Sequence, residues 1–388
     1  MSVAAPQGFV ASGIACGIKP TGAPDLALVA TDDGRPVVAA AVFTQNKATA
    51  APVVVSQRHL SQTGGRAAAV VLNSGNANAA TGQAGLDLSE RSCQLVAAEL
   101  GCAPEHVLVC STGLIGIPPP AAEIAAGIAP LVAARGGGDG GDRAARAIMT
   151  TDTRPKQTLQ RVGDVTIGGM AKGAAMLAPN MATMLAVLTT DAAIDQDALQ
   201  VSLGNAVRHS FNTLSVDGCT STNDTVIVLA NGRAGQPDAA AFDAALAMAC
   251  LDLATQMAGD AEGATKVIRV RVTGAASHED AARGARQIAE SQLVKCSFYG
   301  EDPYWGRVVS ELGTSGAAFE LGRVTVSYGG VAVARHGEAC PHDGAAVRAH
   351  LAQREVDLHA DLGLGSGAAA VLTNDLTPGY IAENMRTS

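Results

Sequence analysis

Thr183 is the residue in this chain whose position could support covalent chemistry. Residues 172–191 read Lys172-Gly173-Ala174-Ala175-Met176-Leu177-Ala178-Pro179-Asn180-Met181-Ala182-Thr183-Met184-Leu185-Ala186-Val187-Leu188-Thr189-Thr190-Asp191. Pro179-Asn180 is a break that no helix or central strand carries through. The apolar run over 181–188 then reads as a buried strand. Thr183 therefore falls where a turn gives way to a strand. Packing is the common role of a β-branched residue there. The other role is self-cleavage. Attack of Thr183 Oγ on the Ala182 carbonyl, an N-to-O acyl shift and hydrolysis would leave Thr183 as a new N-terminus. Its α-amine would titrate at about 7.7–8.0 and lie about 3 Å from its own hydroxyl, within reach to act as base. A small residue at 182 leaves the scissile carbonyl accessible, and Pro179 stiffens the turn.

The string Lys172-Gly173 followed by Pro179-Asn180-Met181-Ala182-Thr183-Met184-Leu185 strongly resembles the self-cleavage site of the ornithine acetyltransferase family, the glutamate N-acetyltransferases of arginine biosynthesis. The likeness runs from Gln7-Gly8-Phe9 to Ser388. It implies a precursor cut between Ala182 and Thr183 into an α chain, 1–182, and a β chain, 183–388, assembled as a heterotetramer. It also implies ping-pong transfer of an acetyl group from N2-acetyl-L-ornithine to L-glutamate through an acetyl-Thr183 ester. Separately, no cofactor is expected, and no Cys/His spacing suits a zinc site. Acetyl-CoA stays open as a second donor. Residue by residue, Thr112 and Gly113 match the oxyanion pair. Thr150, with Thr151 as its near competitor, matches a substrate-binding threonine, and Lys172 and Glu262 match substrate contacts. Asn384 and Ser388 match the substrate-binding tail; that tail is one residue short, so Thr387 competes with Ser388. Relatives fold as an α-β-β-α sandwich like N-terminal nucleophile hydrolases, in two lobes. Ala174-Ala175, Cys219 and the tail depart from the pattern and leave acceptor choice open. The rival readings are a self-processed aminopeptidase or amidase, an acetyltransferase paralogue of secondary metabolism, and a scaffold in which Thr183 is core.

The residue types agree with these roles. Lys172 could fix an amino-acid carboxylate as a compact charge, and Glu262 suits an amino group. In Cys110-Ser111-Thr112-Gly113-Leu114-Ile115-Gly116, a glycine after a short polar residue lets N–H groups converge on an anion, or simply makes a tight turn. Asn73-Ser74-Gly75-Asn76-Ala77-Asn78, which also matches the family, reads as a structural turn. Asp217 and Asp224 read as turn caps. Gly363-Leu364-Gly365-Ser366-Gly367 mimics a dinucleotide loop but lacks a βαβ context, so a hairpin is expected there.

Positioning these groups requires an α+β fold, since helix and strand signals alternate irregularly and hairpins are prominent. Strands are expected at 37–43, 51–55, 68–72, 107–109, 226–229, 267–272 and 355–362. Helices are expected at 87–100, 121–135, 198–211 and 278–295, with a further one reaching 257 from an N-cap at Asp238. Residues 136–141 read as a flexible glycine linker. The chain has 388 residues, 47% of them apolar but only 3% aromatic, so Ala, Val, Leu and Ile must fill its core. A net charge of −9 without a basic run argues against nucleic acid. The eight cysteines lack a CxxC pair and read as reduced, buried thiols of a cytoplasmic protein. No basic leader with an apolar core opens the chain, and no apolar run of about 18 residues suggests a membrane span.

Overall fold

The computed structural model describes residues 3–176 and 184–385. The chain divides into two compact units: Met1–Asn212 with Cys219–Met257, and Thr213–Gly218 with Ala258–Ser388.

The first unit contains β1 (Phe9–Ile14), β2 (Leu26–Thr31), β3 (Val37–Phe43), β4 (Arg66–Ala67), β5 (Ala69–Asn76), β6 (Val107–Leu114), β7 (Lys156–Val162), β8 (Val165–Lys172), β9 (Leu185–Ala192) and β10 (Thr225–Gly235). They form two sheets, ordered β1-β2-β5-β6 and β4-β3-β10-β9-β8-β7. Its helices are α1 (Ala51–Gln62), α2 (Gly82–Leu100), α3 (Ala121–Ala133), α4 (Gly140–Ala147), α5 (Gln196–Arg208) and α6 (Ala239–Ala258).

The sheets pack face to face. Ala27, Val29, Val70, Leu72 and Leu108 of one meet Ala39, Met170, Leu185, Val187, Ile227 and Leu229 of the other in one buried cluster. Side-chain alternation sends the neighbouring residues outward. Leu26, Leu28, Val71 and Val109 pack there beneath α2 and α3. Ala40, Ala186, Leu188 and Val228 are equally buried on the outer face of the second sheet, on the side of α5 and α6. The Gln200 amide of α5 bonds both the N–H and the carbonyl of Ala41, and the Gln256 amide of α6 does the same for Gln157 on the edge strand β7. The order is helix, sheet, sheet, helix, and the class is α+β, as expected. Strands covered on both faces have no polar side to show, so β2 and β9 are buried at every residue.

The second unit holds a single sheet, ordered β14-β13-β12-β15-β11-β16, from β11 (Val267–Ala275), β12 (Thr325–Tyr328), β13 (Val331–Arg335), β14 (Glu338–Ala339), β15 (Glu355–Asp361) and β16 (Gly367–Asn374). Helices α7 (His278–Glu290), α8 (Gln292–Tyr299), α9 (Trp305–Thr314), α10 (Gly344–Leu351) and α11 (Pro378–Asn384) follow the same numbering. Ile268, Val270 and Val272 pack with Ile288, Val294, Leu312 and Leu351, while Arg269 and Arg271 between them stay exposed. One face of β11 is therefore covered and the other solvated.

Several expectations are corrected. Residues 51–55 are helical, not a strand. Pro52 sits in the first turn of α1, where its missing N–H costs nothing, and Ser56 and His59 one and two turns on bond Val109 and Val107 of β6. The asparagine segment is not a turn from its start, because β5 continues through Asn76. Helix α2 begins at Gly82, before Asp87. The glycine linker ends early: Gly140 and Gly141 are buried in α4, and a Cβ on Gly140 would lie 2.2 Å from the Ala11 carbonyl oxygen. Residues 278–295 are two helices, broken at Ser291, whose hydroxyl caps the second. Strands β15 and β16 are not a hairpin, since β11 lies between them, parallel to one and antiparallel to the other.

The cysteines are not uniformly buried. Cys219 and Cys296 are exposed, while Cys93, Cys110 and Cys250 are buried as free thiols. Helix α6 is long and apolar enough by composition to cross a membrane, yet Phe242, Leu246, Leu253 and Met257 bury one stripe of it against the protein. Asp238 caps it as expected, accepting from the Ala241 N–H at 2.9 Å.

Candidate active site

Strand register assembles the site in the first unit. Lys172 of β8 pairs with Leu185 of β9, which pairs in turn with Thr225 of β10. One row on, Met184, the residue after Thr183, accepts from the Thr225 N–H at 3.0 Å. From the facing sheet, β6 brings Thr112 and Gly113, just before its last residue, opposite Ser74 and Gly75 of β5. The Lys172 ammonium closes the gap between the sheets, donating to Thr112 Oγ1 at 3.1 Å. Lys172 is only 6% exposed, so this is a built contact and not a surface lysine.

Gly113 is required by shape. Its φ is +131°, and a Cβ there would lie 2.4 Å from the Gly75 carbonyl carbon and 2.5 Å from the Asn76 nitrogen. Buried amides hold the surrounding backbone. Asn223 Nδ2 donates to the carbonyls of Ala77 (2.6 Å) and Ser111 (2.9 Å), the Ser111 hydroxyl donates to Asn73 Oδ1 (2.5 Å), and Asn73 Nδ2 donates to the Asn76 carbonyl (2.8 Å). The asparagines are structural, as read from the sequence, but their work is to hold the Thr112-Gly113 segment.

Asp152 is the hub that sequence reasoning missed. Its Oδ2 accepts from the Thr150 N–H and its Oδ1 from the Gly173 N–H, each at 2.9 Å, and the fully buried Lys156 ammonium bonds the same carboxylate. Thr150 is thereby tied to the residue following Lys172, while Thr151 is exposed. Burial alone would raise the Asp152 carboxyl, but the Lys172 and Lys156 ammoniums outweigh it and hold it at about 2.

A carboxyl depressed from 3.8 to about 2 stabilises the fold fully above pH 4–5 and loses that contribution as pH falls toward 2. The gap in unfolding free energy between wild type and Asp152→Asn is therefore expected to narrow by roughly 1 kcal/mol between pH 5 and pH 3, at about 1.4 kcal/mol per pH unit at full slope. Urea unfolding at the two pH values checks it. A gap independent of pH would remove the charge from the explanation.

Asp224 is not the turn cap it resembled. It is buried one residue before β10, and neither carboxyl oxygen completes a hydrogen bond of ordinary geometry. Burial pushes its carboxyl well above the usual range, and the Met184 N–H and Lys172 lower it only in part.

In the second unit, Glu262 Oε2 accepts from Asn384 Nδ2 at 2.7 Å, so these two expected substrate contacts are neighbours. The Thr377 hydroxyl donates to the Gly263 carbonyl at 2.6 Å and fastens α11 to the Glu262 loop. Lys295 pins the inserted 213–218 segment by donating to the Val216 carbonyl at 2.7 Å. Burial lowers its ammonium to about 8 against the pull of Asp217 and Asp375. The Tyr380 hydroxyl donates to Asp217 at 3.4 Å. Ala182, Thr183, Thr387 and Ser388 lie outside the described residues.

The model of the ArgJ family matches residues 10–387. The chain is 49% identical to the arginine biosynthesis bifunctional protein ArgJ of Mycolicibacterium paratuberculosis, over 98% of this chain and 95% of that one. It is 48% identical to the protein of that name from Thermobifida fusca, over 99% of each. Among solved structures, ornithine acetyltransferase of Mycobacterium tuberculosis complexed with ornithine is 48% identical, covering 46% of this chain and 95% of its own at a TM-score of 0.44. The chain belongs to the ArgJ family. It is an acyltransferase of arginine biosynthesis.

Proposed function

We propose that this chain moves an acetyl group from N2-acetyl-L-ornithine to L-glutamate by a ping-pong route, with Thr183 as nucleophile after cleavage of the Ala182–Thr183 bond. The Lys172–Thr112 contact carries the reading. It sets an ammonium, a hydroxyl and the Gly113 turn beside a strand that starts two residues after Thr183. Thr183 Oγ attacks the acetyl carbonyl and passes its proton to the new α-amine. The Thr112 hydroxyl and the Gly113 N–H stabilise the tetrahedral oxyanion. The carbon–nitrogen bond breaks, the leaving amine of ornithine takes the proton, and acetyl-Thr183 remains. The glutamate amine then attacks the ester through a second tetrahedral intermediate and restores Thr183. Lys172, Thr150, Glu262, Asn384 and Ser388 or Thr387 hold the amino-acid groups of donor and acceptor.

The proposed cut falls between β8 and β9, adjacent antiparallel strands whose ladder runs from Ile167↔Thr190 to Lys172↔Leu185. The α and β chains would thus stay joined inside one sheet, and two such pairs would make the heterotetramer. The reaction is cytoplasmic, with acetyl-CoA as a second donor to be assayed. Mass spectrometry of the purified protein under denaturing conditions is expected to give two chains, the second starting Thr183-Met184-Leu185-Ala186. Acetylornithine with glutamate is expected to give acetylglutamate and ornithine. Ornithine release at the same rate without glutamate would make the protein a hydrolase, and an intact chain that transfers acetyl would remove Thr183 from the mechanism.

A further inference from the structure

The geometry points to Lys172 as a positioning residue for Thr112, orienting and polarising the hydroxyl that serves the oxyanion, beyond any contact it makes with substrate. This rests on the oxyanion reading of Thr112.

An ammonium has only protons to give. At 3.1 Å, Lys172 Nζ must donate and Thr112 Oγ1 must accept. The single proton of that hydroxyl is consequently directed away from Lys172, leaving it to donate on the other side. A hydroxyl that accepts from a cation donates more strongly, because the two bonds polarise each other. The effect is larger where water is sparse, and Lys172 is buried.

Both partners are held before any substrate arrives. The Lys172↔Leu185 pairing fixes the lysine backbone, and Asp152 grips the N–H of Gly173 next to it. Asn223 holds the carbonyl of Ser111 on the other side. The Asp152 carboxylate also supplies the opposite charge that lets an ammonium remain buried here. A lysine serving only as a carboxylate clamp would need none of this aim at Thr112.

The two roles separate in a double-mutant cycle. A clamp that binds ground state and transition state alike raises KM and leaves kcat, whereas a group acting through an oxyanion donor lowers kcat. The test compares wild type, Lys172→Gln, Thr112→Val and the double variant for acetylornithine and glutamate. Mass spectrometry of the cleaved fraction counts the competent sites. Thr112→Val is expected to lower kcat roughly a hundredfold, as for loss of one oxyanion donor, and Lys172→Gln about tenfold in both half-reactions. The double variant is expected to match Thr112→Val, because the lysine has nothing left to act through. Multiplying losses, or a Lys172→Gln change confined to KM, would overturn the proposal and leave the oxyanion reading standing. Full kcat in Thr112→Val would instead remove the oxyanion reading itself. If Lys172→Gln does not fold, the same cycle with Lys172→Arg decides by the same criterion of additivity. A Thr112→Ser background, which keeps the hydroxyl, is expected to restore the full tenfold sensitivity to Lys172→Gln.

Discussion

Thr183→Ala is expected to abolish acetyl transfer and leave the protein as one 38.9 kDa chain. Alanine carries no oxygen to attack the Ala182 carbonyl, so no N-to-O shift can begin. Without the cut there is also no α-amine at position 183, so nucleophile and base disappear together. The loss in kcat is expected to be roughly 10⁴-fold or more, as for nucleophiles that act as a unit with their base. Folding should survive, because β8 and β9 pair through Lys172 and Leu185 in either case. Denaturing electrophoresis and an acetylglutamate assay read both outcomes. A Thr183→Ala protein that still transferred acetyl, cleaved or not, would defeat the proposed mechanism.

Gly113→Ala is expected to be the next most damaging change, with Gly116→Ala as its control. Both glycines have positive φ, +131° and +78°, so alanine is strained at either. At Gly116 nothing lies within 4 Å of the added methyl, which limits the cost to that strain, about 1 kcal/mol. At Gly113 the methyl meets the Gly75 and Asn76 backbone inside 2.6 Å. Backbone atoms cannot swing aside as a side chain does, so β6 must shift away from β5. Overpacking of this kind costs about 1–3 kcal/mol in addition to the strain. The shift also displaces the Gly113 N–H and Thr112, so a fall in kcat of roughly a hundredfold or more is expected. Thermal unfolding and kcat of the two variants check it; equal effects at the two sites would remove the close approach as the cause.

The chain by itself determined whatever depends on neighbours in sequence. The period-two pattern of Val267 to Val272 appears as alternating burial in β11, and that of Glu355 to Asp361 in β15. Asp238 caps a helix from the position where a cap was expected. The order of residues around Thr183 carried the family, whose model covers residues 10–387. What failed locally did so where two structures share one local pattern. Ala51-Pro52-Val53-Val54-Val55 suits a strand by residue type, yet it opens α1, whose Ser56 and His59 are seated on β6.

Tertiary structure alone decided which distant groups meet. Lys172 and Thr112 stand sixty positions apart, on strands of different sheets. Asp152 looked like one polar residue in a hydroxyl-rich run until the fold brought Lys156 and Gly173 to it. A strand inserted between β15 and β16 undid a hairpin that nothing in their own residues forbids. The physical reason is the same throughout. Backbone preference and side-chain periodicity act over a few residues, whereas the partner of a buried charge is chosen by how whole sheets pack.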